Sequence, residues 1–580
     1  MRFLSLILPC AALWAAEPTP AIRLDQVGYL PDAPKLAMVA AGTPGQVFFL
    51  RRAADDELVY TNALGAPIDD ANSGDRVRAA DFSAFSTPGR YYLEVPEAGR
   101  SYAFDIGQNV YRRAYYLALR AFYGQRCGTA VDLGPEFPQY WHAECHRSGA
   151  WHASSGKQGG RVSQYGWHDA GDYGRYVVNS GLSTGTLLWT WELFCRRVMR
   201  IPLNIPETGN GTPDLLNEIR WNLEWMLTMQ DDDGGVWHKQ TSENFPGFIL
   251  PERDAWTSYA IGTGSYPYKS SCATGDFAAV MAVAERLYQP FDAGFAARAA
   301  DAAARAWTWL ATYPNVTFVN PANVVTGEYG DGDCSDERLW AAAELWRSTG
   351  GDQYQTYFLE HYQRYLGSVG PPGWPTLAPM ALWTYALSGR AGADADAVES
   401  IRQASVAAAN QVTERTAANA YRIAMTSGDF YWGSNSQAAN YSLQLLVTNA
   451  LAPDRRYVEA ALENLHYLLG RNAFSVSWVT WVGSNWFKKP HHRPSGADGV
   501  VEPWPGMLAG GPNQYRNDPV LLGLPADLPP MRVWIDDQGS YAGNEIAINW
   551  NAPLVFVLAG ALPEPEPQRP PSRPVWGKPR

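Results

Sequence analysis

The chain has 580 residues, a formal charge of −12, 24 tryptophans and 31 tyrosines. Such a length buries a large core and divides into two domains, and an acidic surface with a pI near 5.3 repels phosphates and anionic lipids, which argues against nucleic acid or a membrane surface as partner. The aromatic surplus exceeds what packing demands and suits flat platforms for sugar rings.

In chain order, Met1-Arg2 followed by Leu4 to Leu8 and Ala11 to Ala16 reads as a signal peptide over residues 1–16, so a secreted or periplasmic protein is expected. No later run approaches the roughly 18 apolar residues of a membrane span. Residues 18–107 alternate in short apolar runs such as Tyr91 to Val95 and Tyr102 to Ile106, about seven of them, separated by Pro31, Gly45, Gly65, Gly74 and Gly89. That pattern predicts a β-sandwich without the antibody cysteine pair, and with no catalytic constellation its role is support. From Tyr111 the period becomes helical, and about twelve segments follow, including the stripe Leu215, Ile219, Leu223, Met226 and Leu227 that begins after Pro213. Residues 108–562 are therefore expected to form an all-α domain, a barrel of helix pairs with its long loops gathered at one end as the site. A helical solenoid is the rival, and no fixed-period repeat supports it. Residues 563–580 are so rich in proline that an extended, disordered tail is expected.

Chemistry concentrates in Gly166 to Tyr176, GWHDAGDYGRY, where Asp169 and Asp172 stand among glycines and aromatics. Glycine lets backbone approach a ligand, and two carboxylates on a tight turn can share one water, which suits sugar hydrolysis. Alone, the same run also fits a calcium loop or a helix cap.

Other motifs extend the pattern: KPHHR at Lys489 to Arg493, NEIAINWNAP at Asn544 to Pro553, NGTPDLLNEIRWNLEW at Asn210 to Trp225 and TGDFAAVMAVA at Thr274 to Ala284. With them the chain resembles glycoside hydrolase family 9, in the branch with an immunoglobulin-like domain before an (α/α)6 barrel. The resemblance implies inverting hydrolysis of β-1,4-glucosidic bonds in cellulose-type glucans, with no cofactor for the chemistry. It implies Asp172 as general base, Asp169 as a second holder of the same water and Glu545 as general acid, the acid and base roughly 6.5–9.5 Å apart. Glu545 then needs a raised pKa while Asp172 stays charged. His491 and Arg493 match positions that bind hydroxyls beside the cleaved bond, with His492 as the alternative ligand, and Asp536 matches an aspartate that pairs with and orients that segment. Tyr541, Trp432 and Trp256 are candidate stacking platforms, for each of which a core position explains the ring equally well.

After signal removal Cys127, Cys145, Cys195, Cys272 and Cys334 are odd in number and cannot all pair. Cys127, Cys145, His146 and His152 offer a donor set for tetrahedral zinc and resemble a structural zinc site of the same branch; a Cys127–Cys145 disulfide is the rival. Asp333, Asp336 and Glu337 gather oxygen ligands, and Asp336 and Glu337 match a calcium site of the family. The partner aspartate expected near Trp374 is missing, however, and helix capping by Asp333 or Ser335 explains the run as well.

Endo cleavage, exo cleavage by a cellodextrin glucosidase or an exo-β-glucosaminidase, and non-catalytic glycan binding remain in competition. Asp169, Asp172 and Glu545 together argue against the last. With no binding module after the barrel, soluble or amorphous glucan is the expected substrate, and a monomer the expected state.

Overall fold

Residues 22–106 fold as two facing sheets because alternate side chains point inward: along Gly89–Val95, for example, Tyr91, Leu93 and Val95 are buried. The computed structural model describes residues 17–565 apart from 41, 43 and 44, so the expected signal segment and residues 566–580 of the tail lie outside it. One sheet runs Ile22–Arg23, Leu36–Val39, Asp75–Asp81, Ile68–Asp70. The other runs Gly28–Tyr29, Phe104–Ile106, Gly89–Val95, Val47–Arg52, Leu58–Ala63, with Gly99–Arg100 on the side of Gly89–Val95. Tyr29, Phe48, Leu50, Phe82, Leu93 and Phe104 fill the space between them.

Twelve helices of nine residues or more follow among the described residues. They are α1 (Arg112–Gly124), α2 (Val177–Val198), α3 (Asp214–Thr228), α4 (Ser271–Tyr288), α5 (Ala293–Thr312) and α6 (Ser335–Thr349). Then come α7 (Asp352–His361), α8 (Ala378–Ala386), α9 (Ala395–Ala418), α10 (Ser434–Leu451), α11 (Arg455–Leu468) and α12 (Ile548–Ala561). Sequence pattern separates two kinds. In α4 every residue from Ser271 to Ala284 is buried, whereas α5 buries only the stripe Phe295, Ala296, Ala299, Ala302, Ala303, Ala306, Trp309 and Leu310. Accordingly α2, α4, α6 and α8 pack each on the next, α9 bridges α8 and α10, α10 packs on α12, and α12 returns to α2. The helices α1, α3, α5, α7 and α11 lie outside, on α12, α2, α4, α6 and α10.

Three features depart from the expectations. The helical domain is not purely α: Gly160–Val162, Ser148–Trp151, Ser258–Ile261, Lys239–Thr241 and Arg175–Tyr176 form a five-stranded sheet. Its strands have two to four residues, too few for a two-residue period to show in sequence. The helical period near Glu545 to Leu558 predicts a helix that starts at Glu545, but Glu545 precedes α12 in extended conformation, with φ −64° and ψ 157°. The disulfide joins Cys272 at the start of α4 to Cys334 before α6, while Cys127, Cys145 and Cys195 are free thiols, so the Cys127–Cys145 bridge is not formed.

The two domains are joined by polar contacts, partly buried at Asp75 and fully buried at Asp25. Asp75 of the sandwich accepts from Arg532 Nη2 (2.7 Å) and Tyr421 Oη (2.7 Å) of the helical domain, and from its own domain's Arg23. Asp25 accepts from His466 Nδ1 at 2.8 Å. Among the described residues no helix is long and apolar enough to cross a membrane.

Candidate active site

Gly166 to Gly174 crosses the interior as irregular chain before the strand Arg175–Tyr176, so its polar groups must be satisfied locally. Asp169 is buried; its N–H donates to Gly174 O (2.9 Å) and its own carbonyl accepts from Ile548 N (2.8 Å), tying the motif to the start of α12. Its carboxylate accepts from Asn179 Nδ2 through Oδ1 and from Tyr329 Oη through Oδ2 (2.7 Å). Burial, helped by repulsion from Asp172, lifts the Asp169 pKa to about 7 even against those donors. Asp172, also buried, accepts from Gly174 N at 3.1 Å.

The second wall comes from residues 488–493 and 541–545. His491 forms a parallel bridge with Glu545, and its N–H donates to Asn544 O (2.9 Å). Gly171 lies against this segment so closely that a Cβ there would sit 1.9 Å from His491 O, which is why the motif needs glycine. Burial, then the charges of Asp172 and Asp169, push the Glu545 carboxyl well above the ordinary glutamate range. This environment favours the protonated form of Glu545.

Asp536 accepts from Lys488 N (2.6 Å), Lys489 N (2.8 Å) and Asn544 Nδ2 (2.8 Å), bracing both strands of this wall from behind. His491 Nδ1 donates to Gln538 O (2.8 Å), which leaves Nε2 free, and burial lowers its pKa so that the ring is neutral. Arg493 spends Nε on Pro246 O (2.8 Å) and Nη1 on Gly171 O (2.9 Å). His492 faces away: Nδ1 meets Ser495 Oγ (2.8 Å) and Nε2 meets Gln125 Oε1 (3.1 Å), so the alternative ligand is a buried brace. Around His491 stand Phe248 (ring centroids 5.1 Å) and Tyr541 (5.9 Å), and Tyr541 meets the partly exposed Trp432 at 5.4 Å. Trp256 is half exposed and, among the described residues, stacks on none of these rings.

Beside the motif, ligand atoms of Cys127, Cys145, His146 and His168 lie within 4.8 Å of one another. The fourth member is His168, not His152. The strand Ser148–Trp151 carries His152 away to cap a short 3-10 turn, where its ring accepts from Ser154 N (3.1 Å). The Arg126–Trp167 bridge instead draws His168 to Cys127. Two thiols and two imidazoles suit a tetrahedral soft-to-borderline cation. His146 Nε2 donates to Asp254 Oδ2 (3.2 Å), leaving Nδ1 buried and without a partner, as a metal ligand oriented from behind would be.

The oxygen ligands do not assemble as expected. Asp333 is exposed and accepts from Ser335 N (3.1 Å), and Asp336 accepts from Leu377 N (2.7 Å) and Ala378 N (3.2 Å) at the start of α8. Glu337 and Asp276 are buried without hydrogen-bond partners, and burial, then the charge of Asp336, raises both carboxyls well above their usual range. Three site residues escaped the sequence reading. His168 was in plain view beside Asp169, Asn179 lies in the first turn of α2, and Tyr329 had no signal because 160 residues separate it from Asp169.

The model of glycosyl hydrolase family 9 matches residues 111–558, and that of the cellulase N-terminal Ig-like domain matches residues 17–100. The chain is 36% identical over 551 residues to endoglucanase D of Acetivibrio thermocellus, covering 94% of this chain and 84% of that protein. It is also 36% identical over 588 residues to a xyloglucan-specific endo-beta-1,4-glucanase of Bacteroides ovatus, covering 96% of each. The crystal structure of a zinc-binding triple mutant of a family 9 endoglucanase superposes with a TM-score of 0.86 at 34% identity, covering 92% of this chain and 100% of that one.

Proposed function

The chain belongs to glycosyl hydrolase family 9, and we propose that it is an endo-acting β-1,4-glucanase working by inverting single displacement. The observation that carries the reading is geometric: the His491–Glu545 bridge, with Gly171 packed on His491, sets the Glu545 segment against the run that holds Asp169 and Asp172, where burial and the charges of Asp172 and Asp169 push the Glu545 carboxyl well above the ordinary glutamate range. In this reading the oxygen of a water bonds to the anomeric carbon while Asp172 takes a water proton. The bond to the leaving sugar breaks, and Glu545 gives its proton to the departing oxygen. Asp169 holds the same water and shares the charge; Tyr329 and Asn179 hold Asp169. His491, with Nε2 free, meets a sugar hydroxyl, Arg493 shapes the floor beneath it, and Asp536 positions the segment. Phe248, Tyr541 and Trp432 offer stacking faces.

The closed circuit of inner helices with outer helices upon them supports an (α/α)6 barrel. Cys127, Cys145, His146 and His168 would hold zinc; when bound, the ion cross-links the loops around the catalytic motif and supplies no step of the chemistry. Calcium at Asp336 and Glu337 would need Asp276 rather than Asp333. The N-terminal pattern supports export. A branched glucan such as xyloglucan is the second reading, favoured by the likeness to the B. ovatus enzyme over the full length of both chains.

The test is a time-resolved product profile on cellohexaose, with xyloglucan oligosaccharides and a glucosamine hexamer in parallel. Early dimers, trimers and tetramers from cellohexaose support the endo reading. Glucose or glucosamine plus pentamer identifies exo action, and turnover of xyloglucan alone moves the substrate to the branched glucan.

A further inference from the structure

Lys239, buried in the strand Lys239–Thr241, donates from its ammonium to Asn320 Oδ1 (2.6 Å), Gly327 O (2.7 Å), Thr326 O (3.2 Å) and Thr326 Oγ1 (3.2 Å). None of the four is a carboxylate, and all lie on one loop, residues 318–330, that contains no helix or strand. The adjacent His238 fixes the same loop: its Nε2 donates to Glu328 O (2.9 Å), and its ring stacks on Phe318 at 3.8 Å. The residue after these anchors is Tyr329, whose φ of 46° is a left-handed conformation that a tyrosine holds only when its surroundings impose it. Its hydroxyl lands on Asp169.

A buried ammonium without a counter-ion is unfavourable; burial lowers the Lys239 pKa to about 7, with Asp172 the largest charge acting against that drop. A neutral side chain of similar length would fill the space without that cost. It could not, however, draw three backbone and side-chain segments of an irregular loop onto one point.

We propose that Lys239 is a positioning residue, whose ammonium clamps the 318–330 loop and thereby holds the Tyr329 hydroxyl on Asp169. The proposal rests on the reading that Asp169 serves the water-activating pair.

The experiment is a double-mutant cycle on cellohexaose with Lys239→Met, Tyr329→Phe and the double variant, each checked for fold by near-UV circular dichroism. Lys239→Met is expected to lower kcat by about 10–100-fold with KM within about 3-fold, and to add less than about 2-fold on top of Tyr329→Phe. Two effects that multiply, or a wild-type kcat in Lys239→Met, overturn the clamp. Should Lys239→Met not fold, Asn320→Ala removes one acceptor and leaves the lysine; its loss of about 3–10-fold must likewise vanish in the Tyr329→Phe background. Asp169→Ala separates the two levels: wild-type turnover there overturns the reading of the pair itself, whereas a large loss beside a wild-type Lys239→Met overturns the clamp alone.

Discussion

Asp75→Ala tests whether the sandwich is bonded to the helical domain through a few buried charges rather than resting against it. The substitution deletes the acceptor of Arg23 Nη1 and Arg532 Nη2 and of the Tyr421 hydroxyl at once. Hydrogen bonds to charged groups contribute about 1.5–3 kcal/mol each, and removing one partner of a buried pair strands the other. Arg23 has a side-chain exposure of 7% and cannot recover its loss from water, whereas Arg532, at 29%, recovers part of it. We therefore expect a destabilisation of about 3 kcal/mol, with Asp75→Asn losing roughly half, since an amide oxygen still accepts but carries no charge. Asp69, paired with Arg76 at 3.7 Å with both side chains mostly exposed, is the control, and Asp69→Ala should cost less than about 0.5 kcal/mol. Urea unfolding followed by tryptophan fluorescence measures all three. If Asp75→Ala unfolds at the wild-type midpoint, the charges at the junction are ornamental and the reasoning is refuted.

Glu545→Gln should lower kcat on cellohexaose by about 10²–10⁴-fold, and by much less on an aryl cellobioside whose leaving group needs no proton; equal losses on both substrates would remove Glu545 as the acid. Glu545 works protonated, with its pKa raised by burial and by Asp172 and Asp169, so kcat/KM falls as pH rises through that value. Asp169→Asn deletes one of those charges, lowers the Glu545 pKa and must move the alkaline limb of the pH–rate profile to lower pH; a limb that stays or moves up contradicts the electrostatics. Bound zinc, measured by atomic absorption, should be lost in His168→Ala and kept in His152→Ala, and Cys127 and Cys145 should react with a thiol reagent only after chelation. Metal retained by His168→Ala would show that the four groups are not the ligand set.

Local pattern was enough for much of this protein. The two-residue period before Ile106 and the helical period after Tyr111 divide sandwich from helices, and the Leu215 stripe gives α3 its start after Pro213. Asp169 and Asp172 stood out from their own run of glycines and aromatics, whereas His491, Asp536 and Glu545 were singled out only through the family resemblance; the structure brings His491, Asp536 and Glu545 together in one wall. Tertiary structure alone decided the rest. Strands of two to four residues lack the length to show a period, so the sheet that places Lys239 beneath the 318–330 loop was invisible. Spacing suggested His152 as the fourth metal ligand, yet the Arg126–Trp167 bridge selects His168, because ligands are gathered by where the backbone turns and not by how far apart they stand in the chain. Cys272 could have joined any free thiol by sequence, and only the packing of α4 on α6 brings it to Cys334. The hydroxyl of Tyr329 reaches Asp169 for the same reason: a pKa, a proton's place and a water's hold depend on neighbours within a few ångströms, and those neighbours come from segments that the order of residues leaves far apart.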